Sequence, residues 1–425
     1  MEKVISFKTI CIVGLGYIGL PTAAMFASRG LQVVGLDVSQ AVVDKINSGK
    51  VHIVEDELDD LVELVVKKGK LEASTIAKPA DAFLICVPTP FIDHDSHKPD
   101  LSFVKAACEA IAPCLKRGDL VILESTSPVG TTERLESWLA SLRPDLSFPS
   151  EAREGSNIRI AYCPERVMPG NVVQELVSND RIIGGLTQRC SNYAADLYKI
   201  FVRGDCLLTD SRTAEMTKLT ENSYRDVNIA FANELSIICN ELGINVWDLI
   251  KLSNHHPRVD ILQPGPGVGG HCIAIDPWFI VSSSPKSSKL IRTAREVNNA
   301  KPKWVLQKLK DVVKEVQSVK NLERNKISVS CFGLAFKADI DDLRESPSLE
   351  IATDIASMGF MKTMVVEPNI ENLPRELSGL ASLSTIEDAL LESDIVVILV
   401  DHKEFKKDFL FDGVKAIIDT RGLLQ

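Results

Sequence analysis

Thr9-Ile10-Cys11-Ile12-Val13-Gly14-Leu15-Gly16-Tyr17-Ile18-Gly19 is the stretch on which the fold turns. Its first five residues form a short apolar run, the pattern of a strand buried on both faces. The run passes directly into a glycine turn, and residues 21–28 then read as a helix. The chain returns as Val33-Val34-Gly35-Leu36 and closes on Asp37, 18 residues beyond Gly19. Strand, glycine turn, helix, strand and acid in this order make the dinucleotide fingerprint. Gly14, Gly16 and Gly19, with Tyr17 and Ile18 between them, let the backbone approach a pyrophosphate lying on the helix N-terminus. Asp37 can accept hydrogen bonds from ribose hydroxyls and would repel a 2′-phosphate, so the expected cofactor is NAD rather than NADP.

The alternation of strand and helix continues outward. Ala82-Phe83-Leu84-Ile85-Cys86-Val87 is a further buried strand ending in Pro88-Thr89-Pro90. Leu120-Val121-Ile122-Leu123-Glu124 follows and ends in Ser125-Thr126-Ser127-Pro128-Val129-Gly130-Thr131. Ile160-Ala161-Tyr162-Cys163-Pro164-Glu165-Arg166 repeats the design. In parallel sheets the loops at the carboxyl ends of strands line the ligand crevice, which makes Pro88, Thr89, Thr126 and Glu165 candidate site residues. Ser and Thr in such loops also serve simply as turn formers.

From about Thr209 the texture changes. Ser211–Leu242 holds no proline and is closed by Gly243, so it reads as one long helix. Lys218 and Asn222 share a face of it at i and i+4. Residues 301–324 read as a charged helical connector. A second α/β domain begins at Ile327-Ser328-Val329-Ser330-Cys331-Phe332-Gly333-Leu334, with later strands around Val365, Val397 and Ile417. It lacks a second glycine fingerprint. Lys337, Arg344 and Arg421 stand at its strand ends, where a phosphate-bearing ligand would be met. The expected fold is therefore α/β, with two Rossmann-like doubly wound domains joined by a helical middle domain that has one long central helix. The expected divisions are 1–203 for the NAD-binding domain, 204–300 for the helical domain with a dimer interface, and 301–425 for the second α/β domain.

Composition narrows the function classes. The chain has 425 residues, enough for two or three domains, with 45% hydrophobic and 25% charged residues. A net charge of −10 gives no global attraction to nucleic acid or to anionic membranes. No apolar run approaches membrane-spanning length, and the N-terminus lacks a signal pattern. The ten cysteines contain no CxxC pair, and the seven histidines no HExxH motif. His94 and His97 lie in a polar, loop-like run, and no metal site is expected. Together these features point to a cytoplasmic protein.

The chemistry centres on Gly265-Pro266-Gly267-Val268-Gly269-Gly270-His271-Cys272-Ile273-Ala274-Ile275-Asp276-Pro277. Glycine-dense backbone marks a place where the chain comes close to something. If a helix starts near Gly270 or His271, Cys272 and Asp276 stand at i and i+4 on one face. A cysteine at a helix N-terminus has its thiolate favoured by the free N–H groups and the dipole. That arrangement makes a nucleophile, whereas a cysteine taken at random is a small buried hydrophobe.

With these pieces in order, the chain resembles the UDP-glucose/GDP-mannose dehydrogenase family over essentially its whole length. The match is carried by the glycine turn, Glu124-Ser125-Thr126-Ser127-Pro128-Val129-Gly130-Thr131, and Cys163-Pro164-Glu165-Arg166-Val167-Met168-Pro169-Gly170. It continues through Ala214-Glu215-Met216-Thr217-Lys218-Leu219-Thr220-Glu221-Asn222, Gly269-Gly270-His271-Cys272 and Phe332-Gly333-Leu334-Ala335-Phe336-Lys337. The resemblance implies two successive NAD-dependent oxidations at one sugar carbon of a UDP-sugar, taking a primary alcohol to a carboxylate. In that scheme Cys272 attacks the intermediate aldehyde, and a thiohemiacetal becomes a thioester that water hydrolyses. Lys218 and Asn222 match the pair that stabilises the oxyanion. Asp276, Glu165 and Thr126 match groups that position or activate water.

The resemblance also implies substrate contacts from Glu165, Arg166, Lys218, Asn222, Gly269, Lys337 and Arg421, and from Arg258 across a homodimer interface. It implies cofactor contacts from Asp37, Pro88, Thr89, Thr126 and Arg344. Two departures bear on the sugar. Pro169 stands where the glucose enzymes carry a second glutamate, and Ile275 where they carry a lysine. Both fit an N-acetylhexosamine branch, with UDP-N-acetyl-D-mannosamine expected first, UDP-N-acetylglucosamine second and UDP-glucose third. Among other classes, an NAD-dependent epimerase relying on Tyr-x-x-x-Lys is disfavoured, since none of Tyr17, Tyr162, Tyr193, Tyr198 and Tyr224 has Lys four residues later.

Overall fold

The computed structural model describes residues 7–53, 55, 57–93, 97–167, 170–270, 272–320, 322–406 and 414–424. His94, Met168, Pro169 and His271, all used above, lie outside the described residues. The chain forms two compact units, residues 1–220 and 221–425.

The first unit is built on an eight-stranded sheet. Its strands are β1 (Thr9–Val13), β2 (Gln32–Leu36), β3 (Leu71–Ser74), β4 (Ala82–Ile85), β5 (Leu120–Leu123), β6 (Arg159–Tyr162), β7 (Arg181–Gly185) and β8 (Cys206–Asp210), in the order β3-β2-β1-β4-β5-β6-β7-β8. Every pairing is parallel except β6 with β7. β1, β4, β5 and β6 are almost wholly buried, which is why they read as unbroken apolar runs. The order reverses between β1 and β4, and the crevice outside their carboxyl ends is where such sheets bind ligand. β7 and β8 gave no such run: β7 ends in two glycines, and β8 lies at the sheet edge with Leu207 and Leu208 exposed.

The second unit carries a five-stranded parallel sheet. It comprises β9 (Ser328–Phe332), β10 (Lys362–Val366), β11 (Ser382–Leu383), β12 (Ile395–Ile398) and β13 (Ala416–Asp419), ordered β11-β10-β9-β12-β13. Its first corner repeats that of the first unit. Gly14 and Gly333 have φ near +90°, at 91° and 92°, and each donates its N–H to the end of the neighbouring strand, at Leu36 and Val366. The next N–H goes to an acid in both cases, Leu15 to Asp37 and Leu334 to Glu367. The repeat then diverges, because Ala335 stands where the first unit has Gly16.

The long helix runs over Ser211–Leu242, as its sequence predicts, and the boundary between the units falls within it. The connector helix differs from expectation. It begins at Lys289, twelve residues before the expected start, and continues to Lys320 through an internal Pro302. Proline's missing N–H and ring argue for a break at that point, yet Val305, Leu309 and Val313 lie buried one turn apart beyond it and hold the helix to the second sheet.

Lys301, on the same helix, is 2% exposed. Its ammonium reaches Ser236 Oγ and lies 4.0 Å from the Trp304 ring centre, and among the described residues no carboxylate pairs with it. Burial, reinforced by the charge of Lys308, pushes its pKa down to about 7, outweighing the attraction of the indole face. The unfolded chain therefore binds the proton more tightly, so stability from this group rises with pH between about 7 and 10.5. Lys301→Met is expected to raise stability by about 2–4 kcal/mol at pH 7 and to flatten that pH dependence. Thermal unfolding followed from pH 7 to pH 10 checks both effects. A melting temperature that falls at pH 7 would contradict them.

Candidate functional site

In the first unit the glycine turn is shaped by contact. A Cβ on Gly14 would lie 2.7 Å from the Cys86 carbonyl oxygen, and one on Gly19 only 1.8 Å from that of Gly14. Around Gly16 there is open space, with nothing within 4 Å. The helix that follows, Gly19–Ser28, has neither a side-chain cap nor an acid in its first turn, so its N-terminus keeps its affinity for a phosphate. Asp37 braces the turn by accepting from Leu15 N at 3.0 Å and from Ser39 N at 2.9 Å. This cradle fits a dinucleotide: glycines where backbone must be approached, an uncapped helix end and a carboxylate at the second strand.

Two more strand-end loops meet beside it. Thr89 Oγ1 donates to the Thr126 carbonyl, and Ser125 Oγ to that of Val87 at 2.6 Å. Sequence reasoning quoted Glu215 only as part of a motif, and the structure gives it a job. Buried on the long helix, it accepts from Gly130 N, Thr132 N and Thr132 Oγ1 at 2.6–2.7 Å. It thereby caps the Thr131–Leu142 helix from outside and fixes the loop that carries Thr126.

Glu165 is turned into the unit. One carboxylate oxygen accepts from Arg166 N and Val167 N at 2.6 and 3.1 Å, and the other from the buried Arg181 at 2.7 Å. Glu124 lies in the same interior, bonded by Tyr198 and by Cys86 at 2.9 Å. Burial raises its pKa, with Arg181 opposing. Arg166 directs its guanidinium to the Asp180 carbonyl at 3.3 Å. Neither Arg181 nor Tyr198 was anticipated, because nothing marks an interior partner in a strand such as Arg181-Ile182-Ile183 until the sheet order is known.

In the second unit the Cys272 segment is a turn rather than the start of a helix. Ile275 N and Asp276 N both donate to the Cys272 carbonyl, at 3.1 and 2.9 Å, and the regular helix runs over Asp276–Ser283. Pro277, which has no N–H to give, sits in its first turn and sets its start there. The expected i, i+4 relation of Cys272 and Asp276 is thus met by one turn. The N–H groups of a regular helix do not begin at Cys272, and that part of the expectation is corrected. Asp276, 2% exposed, accepts from the Asn222 amide. Lys218 lies half-buried one turn earlier on the same helix.

The glycines ahead of Cys272 are there for close packing. A Cβ on Gly269 would lie 2.4 Å from the Glu345 carbonyl oxygen and 2.9 Å from Phe336, and one on Gly270 would strike the Phe336 ring at 2.9 Å. A Cβ on Gly265 would lie 2.7 Å from an Arg421 nitrogen. Arg421 is itself held by Asp401 at 2.7–2.8 Å. The cysteine loop therefore lies against the strand-end loops of the second sheet, next to Arg421 and the Phe336–Lys337 corner. Arg344 forks onto Asp342 at 2.6–2.8 Å, while Lys337 and Arg258 are exposed.

Thiol accessibility separates the ten cysteines. None is in a disulfide, and Cys272 is the one that stands exposed among the described residues, which include all ten. Burial pushes Cys11, Cys108, Cys163 and Cys331 up to about 12, and Cys86 well above its ordinary range. Such thiols are poor nucleophiles. The closest approach to a metal set among the described residues is Asp339, His402 and Glu404. His402 already spends both ring nitrogens on protein: Nδ1 accepts from Asp339 N at 2.9 Å, and Nε2 faces Glu367 at 3.1 Å.

Known proteins share this architecture. The description "UDP-glucose/GDP-mannose dehydrogenase family, NAD binding domain" matches residues 8–202, the family's central domain residues 212–300, and its UDP binding domain residues 330–425. The chain belongs to the UDP-glucose/GDP-mannose dehydrogenase family. It is an NAD-dependent nucleotide-sugar dehydrogenase acting on a UDP-sugar. A UDP-N-acetyl-D-mannosamine dehydrogenase of Yersinia pestis is 58% identical over 420 residues, covering 98% of this chain and 99% of that one. An NDP-N-acetyl-D-galactosaminuronic acid dehydrogenase of Ralstonia nicotianae is also 58% identical, covering 99% and 97%. Among solved structures, a UDP-D-ManNAc dehydrogenase from Pyrococcus horikoshii superposes with a TM-score of 0.86 at 39% identity, covering 98% and 96%.

Proposed function

We propose that this dehydrogenase oxidises the C6 alcohol of UDP-N-acetyl-D-mannosamine to the carboxylate, giving UDP-N-acetyl-D-mannosaminuronate for bacterial surface polysaccharide synthesis. The observation that carries the covalent route is Cys272, the exposed thiol on a glycine loop packed against the second sheet. NAD, when bound, would supply the electron acceptor, with a separate NAD molecule taking a hydride in each of the two oxidations. Cys272 Sγ adds to the aldehyde carbon formed by the first oxidation, and the thiohemiacetal loses a hydride from carbon and a proton from oxygen to become a thioester. Water then cleaves the C–S bond, returning the thiol and releasing the acid. Lys218 and Asn222 stabilise the oxyanion, and Asp276, with Thr126 and Glu165, orders the water. The engagement of Glu165 with Arg181 and with the N–H groups of Arg166 and Val167 fixes its orientation.

Residues 14, 16–19, 37, 88, 89 and 126 hold NAD in this reading, and Arg344 is assigned a cofactor contact as well. Arg166, Arg258, Gly269, Lys337 and Arg421 hold the UDP-sugar. We assign residues 1–203 to NAD binding, 204–300 to the helical domain and 301–425 to nucleotide-sugar binding, in keeping with the three family matches. We place the enzyme in the cytoplasm, where its thiols stay reduced. No helix among the described residues is long and apolar enough to cross a membrane.

The sugar is tested by initial rates of NADH formation on UDP-N-acetylmannosamine, UDP-N-acetylgalactosamine, UDP-N-acetylglucosamine and UDP-glucose. The manno sugar is expected to be fastest. The galacto sugar is the second reading, favoured by the equally similar Ralstonia relative. Turnover confined to another of the four would overturn the assignment.

The same proposal includes a homodimer built on the long helix. Tyr224, Phe231 and Ile238 recur every seven residues and are 72%, 52% and 40% exposed. This is the spacing of a helix-pairing seam. Phe231→Glu is expected to shift sedimentation from dimer to monomer. A wild-type monomer at micromolar concentration would remove this part of the proposal.

A further inference from the structure

The long helix grips the cysteine loop at two points. Near the loop's far end, Asn222 donates to Asp276. At its near end, Asn233 Oδ1 accepts from Gly265 N at 2.9 Å. Residues 222 and 233 lie eleven apart and so share a helix face. The two fastened loop residues, 265 and 276, are also eleven positions apart in the chain, and Cys272 lies between them.

The grip has a built-in direction. Asn233 is wholly buried, and its amide donates to Asn298 Oδ1 at 2.9 Å. Asn298 in turn donates to Asp226 Oδ1 at 2.8 Å and to the Asp226 carbonyl at 3.1 Å. Asp226 is paired with the buried Arg295 at 2.6 Å. An ionised carboxylate can only accept, so Asn298 must present its NH2 to Asp226 and its oxygen to Asn233. Asn233 must then present NH2 to Asn298, which leaves its oxygen facing Gly265 N–H. The ion pair thus dictates, through two amides, which end of Asn233 meets the loop. A flipped amide would set N–H against N–H in a dry interior, at the cost of a buried unsatisfied donor.

We propose that Asn233, oriented by Asn298 and Asp226, is a positioning residue that fixes the near end of the cysteine loop and thereby the reach of Cys272 to substrate. None of these side chains touches the reacting atoms in this account. The proposal rests on the nucleophile reading of Cys272 for its effect on turnover but not for its effect on the loop. The two are measured separately.

The loop arm is amide hydrogen exchange of Gly265 in the full-length protein. Pro264 and Pro266 carry no N–H, so Gly265 is the one exchanging backbone amide between Gln263 and Gly267. In the wild type it is expected to be protected like the interior of the long helix. Asn233→Ala and Asn298→Ala should each speed its exchange by about tenfold or more while the helix amides keep their protection. The turnover arm expects kcat to fall roughly ten- to hundredfold with KM within about twofold. The double variant should be no worse than Asn233→Ala alone, since both act through one contact. Fast Gly265 exchange in the wild type would overturn the proposal without any variant. So would unchanged Gly265 protection in whichever of the two single variants folds, or additive losses in the double variant. Faster Gly265 exchange in an enzyme whose Cys272→Ala form still makes the uronate would support the clamp and strike only the nucleophile reading.

Discussion

Cys272→Ala is expected to lower uronate formation by roughly 10⁴-fold or more, the scale of loss when a covalent nucleophile is removed. NAD and nucleotide-sugar binding should stay within about twofold. The asymmetry follows from where the thiol sits. Cys272 is exposed on a turn whose carbonyl anchors the following helix through Asp276 N, and the contacts that shape the loop come from glycines meeting Phe336, Pro347 and Arg421. Those contacts are made by the glycines, so the loop and the ligand sites are expected to stay while the acyl carrier is gone. The other nine thiols cannot substitute, being buried or half-buried, seven of them with raised pKa values. Calorimetric titration of both ligands, set against steady-state uronate formation, checks the split. Binding lost together with activity would mean that Cys272 is structural.

Gly19→Ala carries the second large expected effect, and Gly16→Ala is its control. A Cβ at position 19 would stand 1.8 Å from the Gly14 carbonyl oxygen, a backbone atom that cannot rotate away. The turn must open, at a cost of about 1–3 kcal/mol in stability, and the NAD dissociation constant should rise by roughly a hundredfold or more as the cradle is lost. At position 16 a Cβ meets nothing within 4 Å, so stability should change by less than about 0.5 kcal/mol. NAD binding should still weaken, because that open space is the approach expected for the pyrophosphate. Thermal unfolding with and without NAD separates the two cases. Gly16→Ala leaving NAD affinity intact would contradict this placement of the cofactor.

Much of this was legible in the sequence for identifiable reasons. Strands buried on both faces, such as β1, β5 and β12, are unbroken apolar runs, and the glycine turn is written in one place along the chain. The long helix from Ser211 to Leu242 has no internal breaker and ends on Gly243, so its bounds could be read directly. Edge strands β8 and β11 could not, because one is half-exposed and the other is two residues long. The connector reads as starting near residue 301, whereas its helix begins at Lys289 and continues through Pro302, where tertiary burial overrides a local rule.

At the candidate site, the pairings set by local spacing were legible first: Cys272 with Asp276, Lys218 with Asn222, and Asp37 after the glycines. Groups that act by meeting distant segments were not. Arg181 reaches Glu165 from another strand, Glu215 caps a helix more than eighty residues earlier, and Asn233 holds Gly265 across a turn of the fold. Their side chains carry no periodic or motif signature. Only the sheet order and the pairing of the long helix with the Lys289–Lys320 helix bring them to their partners.

The central claim is that one site performs both oxidations with Cys272 carrying the intermediate. It is tested most directly by counting NADH formed per UDP-N-acetylmannosamine consumed to completion by the wild-type enzyme. Two NADH per sugar, with the uronate as the product and no aldehyde accumulating, is the predicted result. One NADH per sugar, with aldehyde released to solution, would contradict it.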